Sequence, residues 1–210
     1  MPRASDSRSR ILAAGAAEFA AYGYAGAGVD RIAARARLNK AMIYYHFGSK
    51  AGLYRTLLAD MFEQTNARAW DIARSEGDPI SKLQAFVAAL ARELRARPHI
   101  PPMMLREISD GGRRLDGDVQ KVATGVREAL AAILHEGVQA GVFRSDVHPL
   151  LVHMTIIGPL LLHMAGAASR AQSRILKREE LAVALHDTVV DHIVTSVRNA
   201  VVAHPQETRA

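Results

Sequence analysis

The side chains best suited to chemistry lie close together near the start of the chain. Lys40, Tyr44, Tyr45, His46 and Lys50 fall within one short stretch, flanked by Arg37, Asn39 and Ala41. Two ammonium groups can meet phosphate or a guanine edge, and phenol and imidazole groups can hydrogen-bond a phosphate oxygen. The surrounding charge fits that chemistry. Of 27 Lys and Arg, nine precede residue 58, against three of 21 Asp and Glu, so the formal net charge of +6 resides there and the rest of the chain is neutral. A compact cationic segment on a neutral body suits a polyanion, because each neutralised phosphate releases counterions. The alternatives are a solvated face for the charges and a bracing aromatic cluster for Tyr44, Tyr45 and His46. For Tyr45 either orientation fits the pattern.

Other chemistries are poorly served. Cysteine is absent, which removes disulfides, thiolate nucleophiles and thiolate-bound zinc. There is no glycine-rich phosphate loop, no Gly-x-Ser-x-Gly elbow and no His-Glu-x-x-His helix. A catalytic pair would have to be assembled from distant residues such as Glu107 and His153, so an enzyme is not expected. Nine histidines, His148, His153, His163, His186 and His192 among them, raise a metal-responsive protein as a further reading. Their spacings do not put pairs on one helical face, so neither a metal site nor a cofactor is expected.

The elements that must position these groups are helical. No segment alternates apolar with polar, and the long apolar runs repeat at helical spacing, which predicts an all-α fold. A first helix is expected over residues 6–21, with Ile11, Leu12, Gly15, Phe19 and Tyr22 on one face and Gly23 as its end. The spacing then predicts a short helix over Val29–Ala36 with Val29, Ile32, Ala33 and Ala36 inward, and a turn at Leu38-Asn39. A third short helix follows over 40–46, which Asn39 can cap. After Gly48-Ser49-Lys50 a long helix begins, with Leu53, Leu57, Met61 and Phe62 as its apolar stripe. Asp78-Pro79 starts another, carrying Leu83, Phe86, Val87, Leu90 and Leu94. Residues 98–102 are expected to be a proline-stiffened linker into a helix over 103–108, and Asp110-Gly111-Gly112 a turn. A helix over 118–140 and two strongly apolar segments, 149–168 and 180–202, close the fold. The first of these contains His153, His163 and Gly158-Pro159 and lacks a basic N-terminal flank, so it is expected to pack within the protein and not to span a membrane. The first residues contain no secretory apolar stretch, and a cytoplasmic location is expected.

Three short helices with a tight turn between the second and third have the plan of a helix-turn-helix. The run Gly23-Tyr24, Val29-x-x-Ile32-Ala33-x-x-Ala36-x-Leu38-Asn39 and Ile43-Tyr44-Tyr45-His46-Phe47-x-Ser49-Lys50 strongly resembles the DNA-binding domain of the TetR family of bacterial regulators. In this alignment Ile32, Ala36, Leu38, Ile43 and Phe47 form the small core. Lys40 and Tyr44 face outward, His46 is a backbone contact, and Lys50 holds a phosphate at the start of the fourth helix. Two departures stand out. Ala27 and Gly28 occupy positions where the family usually has threonine, so a hydroxyl cap is missing. Arg37 replaces the usual turn glycine, at a cost in strain if φ is positive there.

The resemblance implies a helix-turn-helix domain over residues 1–50, a helical ligand-binding and dimerisation domain over 51–204, and a polar tail over 205–210. It implies a ligand-responsive regulator, most simply a repressor, that binds a near-palindromic operator on double-stranded DNA as a homodimer. A small-molecule effector would release it by moving the fourth helix. The expected ligand pocket comprises Trp70, Phe86, Leu90, Met103, Met104, Ile108, Leu130 and Met154, with Glu107 and His153 as polar groups, which suits an apolar or planar molecule. Ordinary core packing is the alternative for the apolar set, and a surface pairing with Arg106 or Arg113 for Glu107. The expected dimer interface comprises Leu150, Leu161, Leu181, Leu185, Val189 and Ile193, because two late apolar helices exceed what one slender layer can bury.

Overall fold

A computed structural model describes residues 4–115, 117–166 and 186–203. Among these the chain forms α1 (Ala4–Gly26), α2 (Val29–Ala36), α3 (Ala41–Phe47), α4 (Lys50–Arg74), α5 (Pro79–Ala96), α6 (Ile100–Ser109), α7 (Gly117–Gln139), α8 (Pro149–Ala165) and α9 (His186–Val201). The only extended pairing among the described residues is a single bridge between Phe143 and Val202. The chain divides into two compact units. The first contains residues up to Glu63 together with Arg97–Ala123, and the second contains Gln64–Ala96 with the described residues from Thr124 onward. The division falls inside α4 and α7, whereas the sequence reading divides the chain at residue 50.

In the first unit, α1 continues beyond the expected stop at Gly23. That glycine adopts φ 68° and ψ 177°, which kinks the helix without ending it. Arg106 of α6 satisfies the carbonyls freed at the kink, bonding the oxygens of Ala20 and, at 3.1 Å, Ala21. Ile11 and Phe19 are fully buried as expected, but Tyr22 lies mostly in solvent, with the Arg31 guanidinium 4.8 Å from its ring centroid. Ile32, Ala33 and Ala36 bury the inner face of α2, and Val29 is only half-buried.

The second helix ends at Arg37, whose φ of 53° and ψ of 45° are left-handed. The Leu38 N–H reaches the Ala33 carbonyl at 3.0 Å, closing the end of the helix. The guanidinium of Arg10 donates to the carbonyls of Ala36 at 2.6 Å and Arg37 at 3.2 Å, satisfying oxygens that a helix end leaves open. Ser49 Oγ accepts from Gly52 N at 3.0 Å and so caps α4. Residue 52 must be glycine here, since a Cβ would collide with the Phe47 carbonyl. The helix that follows buries Leu53, Tyr54 and Leu58.

Prolines 101 and 102 lie inside the first turn of α6, so the expected linker is shorter than residues 98–102. Proline lacks only an N–H that this turn leaves unused. In the second unit α5, α8 and α9 pack on one another. Phe86, Leu130, Ile133, Leu134, Ile156 and Leu160 are the large side chains at the centre of that core. Asp78 starts α5 by accepting from the N–H groups of Ile80 and Ser81, both at 3.0 Å. A two-pronged pair between Lys82 and Glu136, 2.8 Å to each oxygen, links α5 to α7. Among the described residues no helix is long and apolar enough to cross a membrane.

Candidate nucleic-acid interface

The third helix is seven residues long and fully buries one of them, Ile43. So short a helix is marginal alone and is held by its apolar anchor on the helices beneath. Asn39 Oδ1 accepts from Ala41 N at 2.9 Å and starts it, in the role the sequence assigned. Ile43 faces inward while Lys40, Ala41, Tyr44 and Tyr45 lie in solvent, and Arg37 and Asn39 stand exposed just before them. Tyr45 is 77% exposed, which settles its direction. The Lys40 ammonium pairs with Asp30 at 3.2 Å, but both side chains are exposed. Such a pair contributes little, so it gives way readily to a phosphate.

His46 is half-buried, its ring edge-on to Tyr45 with centroids 5.0 Å apart. Its Nε2 is buried and has no hydrogen-bond partner. Lys50 reaches back over the ring of Tyr24, 4.8 Å from its centroid, and donates to the Ala25 carbonyl at 3.4 Å. The guanidinium of Arg114 lies 4.5 Å from the centroid of the same ring. Burial, then the positive charges of Arg31 and Arg114, lower the pKa of the Lys50 amine.

The missing hydroxyl cap at the start of α2 is replaced by a carboxylate from α1. Glu18 Oε1 accepts from Gly28 N at 3.2 Å and from Arg31 Nε at 2.5 Å. Sequence reasoning missed Glu18 and Arg31 because their separation along the chain follows no cap spacing. It also missed Arg114, whose one signal was an Arg-Arg pair directly after Gly111-Gly112.

The residues expected to line a pocket fall into both units. In the first, Met103 is buried, Met104 half-buried and Ile108 exposed. Glu107 is buried and pairs with neither Arg106 nor Arg113. It accepts from Tyr54 Oη at 3.0 Å, from Arg114 N at 2.8 Å and from the Arg114 guanidinium at 3.2 Å. Burial and the Glu107 charge push the Tyr54 phenol far above its ordinary pKa. In the second unit Phe86, Leu90 and Leu130 are buried. Trp70 is half-buried with Arg74 4.8 Å from its ring, and Met154 is exposed. His153 Nδ1 is buried and unpartnered, as is Asn66 Oδ1, which the sequence did not single out. Burial and the charge of Arg127 hold the His153 pKa below the ordinary value. A separate open cavity of about 280 Å³ in this unit is lined by His148, Val152, Thr155 and Val197 among others, and includes none of the expected pocket residues. Among the described residues no three His, Asp or Glu side chains group as a metal ion would require.

Of the residues expected at a dimer interface, Leu150 is exposed and Val189 half-buried, whereas Leu161 and Ile193 belong to the core of their own unit. Leu181 and Leu185 lie outside the described residues. The apolar side chains that α8 leaves in solvent, beside Leu150, are Leu151, Met154 and Leu162.

Comparisons with known proteins bear on the family and the fold. Residues 11–57 match the family model described as bacterial regulatory proteins, tetR family, and residues 79–197 match that of the tetracyclin repressor-like C-terminal domain. The transcriptional repressor SCO4008 of Streptomyces coelicolor is 51% identical over 51 residues, 24% of this chain and 27% of its own length, so the chain spans only about a quarter of that relative. The transcriptional repressor NicS of Pseudomonas putida is 26% identical over 147 residues, 69% of each chain. A TetR family transcription regulator from Marinobacter aquaeolei shares the fold with a TM-score of 0.73 at 18% identity, covering 96% of this chain and 98% of that one.

Proposed function

The chain belongs to the TetR family of bacterial regulatory proteins, and from that premise we propose a ligand-responsive repressor that binds a near-palindromic operator as a homodimer. It is a DNA-binding transcriptional regulator and not an enzyme. The observation that carries the reading is a fully buried Ile43 on α3 beside exposed Tyr44 and Tyr45, with exposed Lys40 directly before the helix. A helix pinned by one anchor, with a cation before it and two phenols exposed on it, is fitted to enter a major groove and grip its rims.

The dimer would form on α8, where Leu150, Leu151, Met154 and Leu162 lack cover. A second copy supplies the same stripe, and two-fold symmetry would place two α3 helices about one turn of DNA apart. The effector reading is supported by His153 Nδ1 and Asn66 Oδ1. Buried polar atoms without partners cost free energy that a hydrogen-bonding ligand recovers. The effector is an apolar or planar molecule carrying at least one such group, and it releases DNA by favouring an arrangement of α4 in which the two α3 helices no longer match the operator. The protein works in the cytoplasm, where its DNA is.

The test is a salt titration of binding to the DNA flanking the protein's own gene, with a scrambled duplex as competitor. Competitor-resistant binding with a steep salt slope is expected. Binding that the scrambled duplex removes equally well would overturn a sequence-specific regulator. Equal operator affinity with and without a molecule that binds the protein would overturn the release mechanism.

A further inference from the structure

Outside the helix-turn-helix, the first unit holds a second concentration of positive charge. Gly111 and Gly112, with φ of 77° and 69°, reverse the chain directly after α6. Only glycine adopts two successive left-handed conformations without strain, and the reversal carries Arg113 and Arg114 back toward the start of α4. There Arg113 and Arg114 line a niche of about 100 Å³ with Tyr24, Ala51, Tyr54 and Arg55. Lys50 shares the Tyr24 ring with Arg114, so four basic side chains gather around two tyrosines.

Fold stability accounts for Arg114 but not for the whole gathering. Arg114 has a structural role, since it bonds buried Glu107 at 3.2 Å and Asp110 at 2.8 Å. Those carboxylates fix its guanidinium against Tyr24 at the expense of crowding Lys50, whose charged form is disfavoured by burial and by the Arg31 and Arg114 charges. An anion placed between Lys50 and its like-charged neighbours would offset that repulsion. The niche also adjoins the candidate DNA interface, because Lys50 lies over the Tyr24 ring that lines it.

We propose that the turn after α6 is a second anchor for the operator, in which Arg113 and Arg55, with Lys50 and the pinned Arg114, hold a backbone phosphate outside the segment read by α3. This rests on the DNA-binding reading and extends the footprint beyond the helix-turn-helix. The contact is to phosphate, so it adds affinity and salt dependence at any sequence and leaves base discrimination to α3.

The test uses the full-length protein and an operator duplex selected by it from random-sequence DNA. Arg113 and Arg55 are exposed, so Arg113→Gln and Arg55→Gln can be checked for unchanged thermal unfolding before binding is measured. Each is expected to weaken operator binding several-fold and to reduce the slope of log affinity against log salt by about one. The ratio of operator to scrambled-duplex affinity should be unchanged. A methylphosphonate scan of the duplex backbone should find a flanking position where removing the charge weakens the wild type more than it weakens Arg113→Gln. If both variants keep the wild-type slope, or if variant and methylphosphonate losses add at every position, the second anchor is overturned while the regulator stands. If the selection recovers no duplex, the regulator reading fails and takes the anchor with it.

Discussion

The carboxylate of Glu18, 1% exposed within α1, accepts from Arg31 Nε at 2.5 Å and from the Gly28 N–H at 3.2 Å. One acidic group therefore joins α1 to the start of α2 where no side-chain hydroxyl is present to do so. Its partner is half in solvent, so the two ends of the pair are not equivalent.

Arg31→Ala should cost more than Glu18→Gln for that reason. Removing the cation leaves a buried carboxylate with one N–H donor, at a cost of about 3 kcal/mol. Glutamine keeps an acceptor for Gly28 and leaves Arg31 to water, at about 1 kcal/mol. Urea unfolding of both variants gives the order, and the reverse order would show that the cation is dispensable.

Arg37→Gly should separate stability from binding. Glycine accepts the φ of 53° without the side-chain clash, which should stabilise the fold by about 1 kcal/mol. The same change removes a cation beside α3, so operator affinity should fall and the salt slope should decrease. A variant no more stable than the wild type would mean that glycine's greater freedom in the unfolded chain offsets the relieved strain.

Stability should decline as the pH falls below about 7. Burial, with Arg97 nearby for His99 and Arg127 for His153, holds both folded-state pKa values below the ordinary 6.5. The unfolded chain then binds protons that the native protein does not. Stability is full above the unfolded value and is lost as the pH drops toward and through the folded values. The urea midpoint should be lower at pH 5.5 than at pH 7.5, and replacing both histidines with asparagine should flatten the difference.

Leu162→Glu and Leu161→Ala should fail in different ways although the residues are neighbours. Leu162 is 68% exposed on α8, so a charge there should yield monomers in sedimentation equilibrium and reduce operator affinity at least tenfold, with the helical content retained. Leu161 fills the core, and its truncation should destabilise the fold by about 2–5 kcal/mol. Dimers that persist in the Leu162 variant would place the interface elsewhere.

Several features were legible because they depend on residues close together in the chain. The helical period separated core from solvent on α2 and α5, where Ile32, Ala33, Leu83, Phe86, Val87 and Leu90 are buried as the spacing predicts. Asn39 reads as the start of α3 because its oxygen needs only the N–H two residues on. Lys40 and Tyr44 follow from the same local register, since a short helix with Ile43 inward leaves few places for them. The absence of a side-chain cap at Gly28 and the strain at Arg37 were also local matters.

What sequence alone determined, then, was the helices among the described residues, the sign and place of the charge, and the surface of α3, because each is set by neighbours within a turn or two. The tertiary structure decided which distant groups meet. Glu18 reaches Gly28 and Arg31, Glu107 chooses Arg114 and Tyr54 over Arg106 and Arg113, and Arg114 shares a ring with Lys50. It also decided that Leu161 turns inward while Leu162 turns outward. Periodicity marks a helix as apolar, but when α8 is apolar on nearly every side, only the packing of other helices against it determines which side is left for a partner.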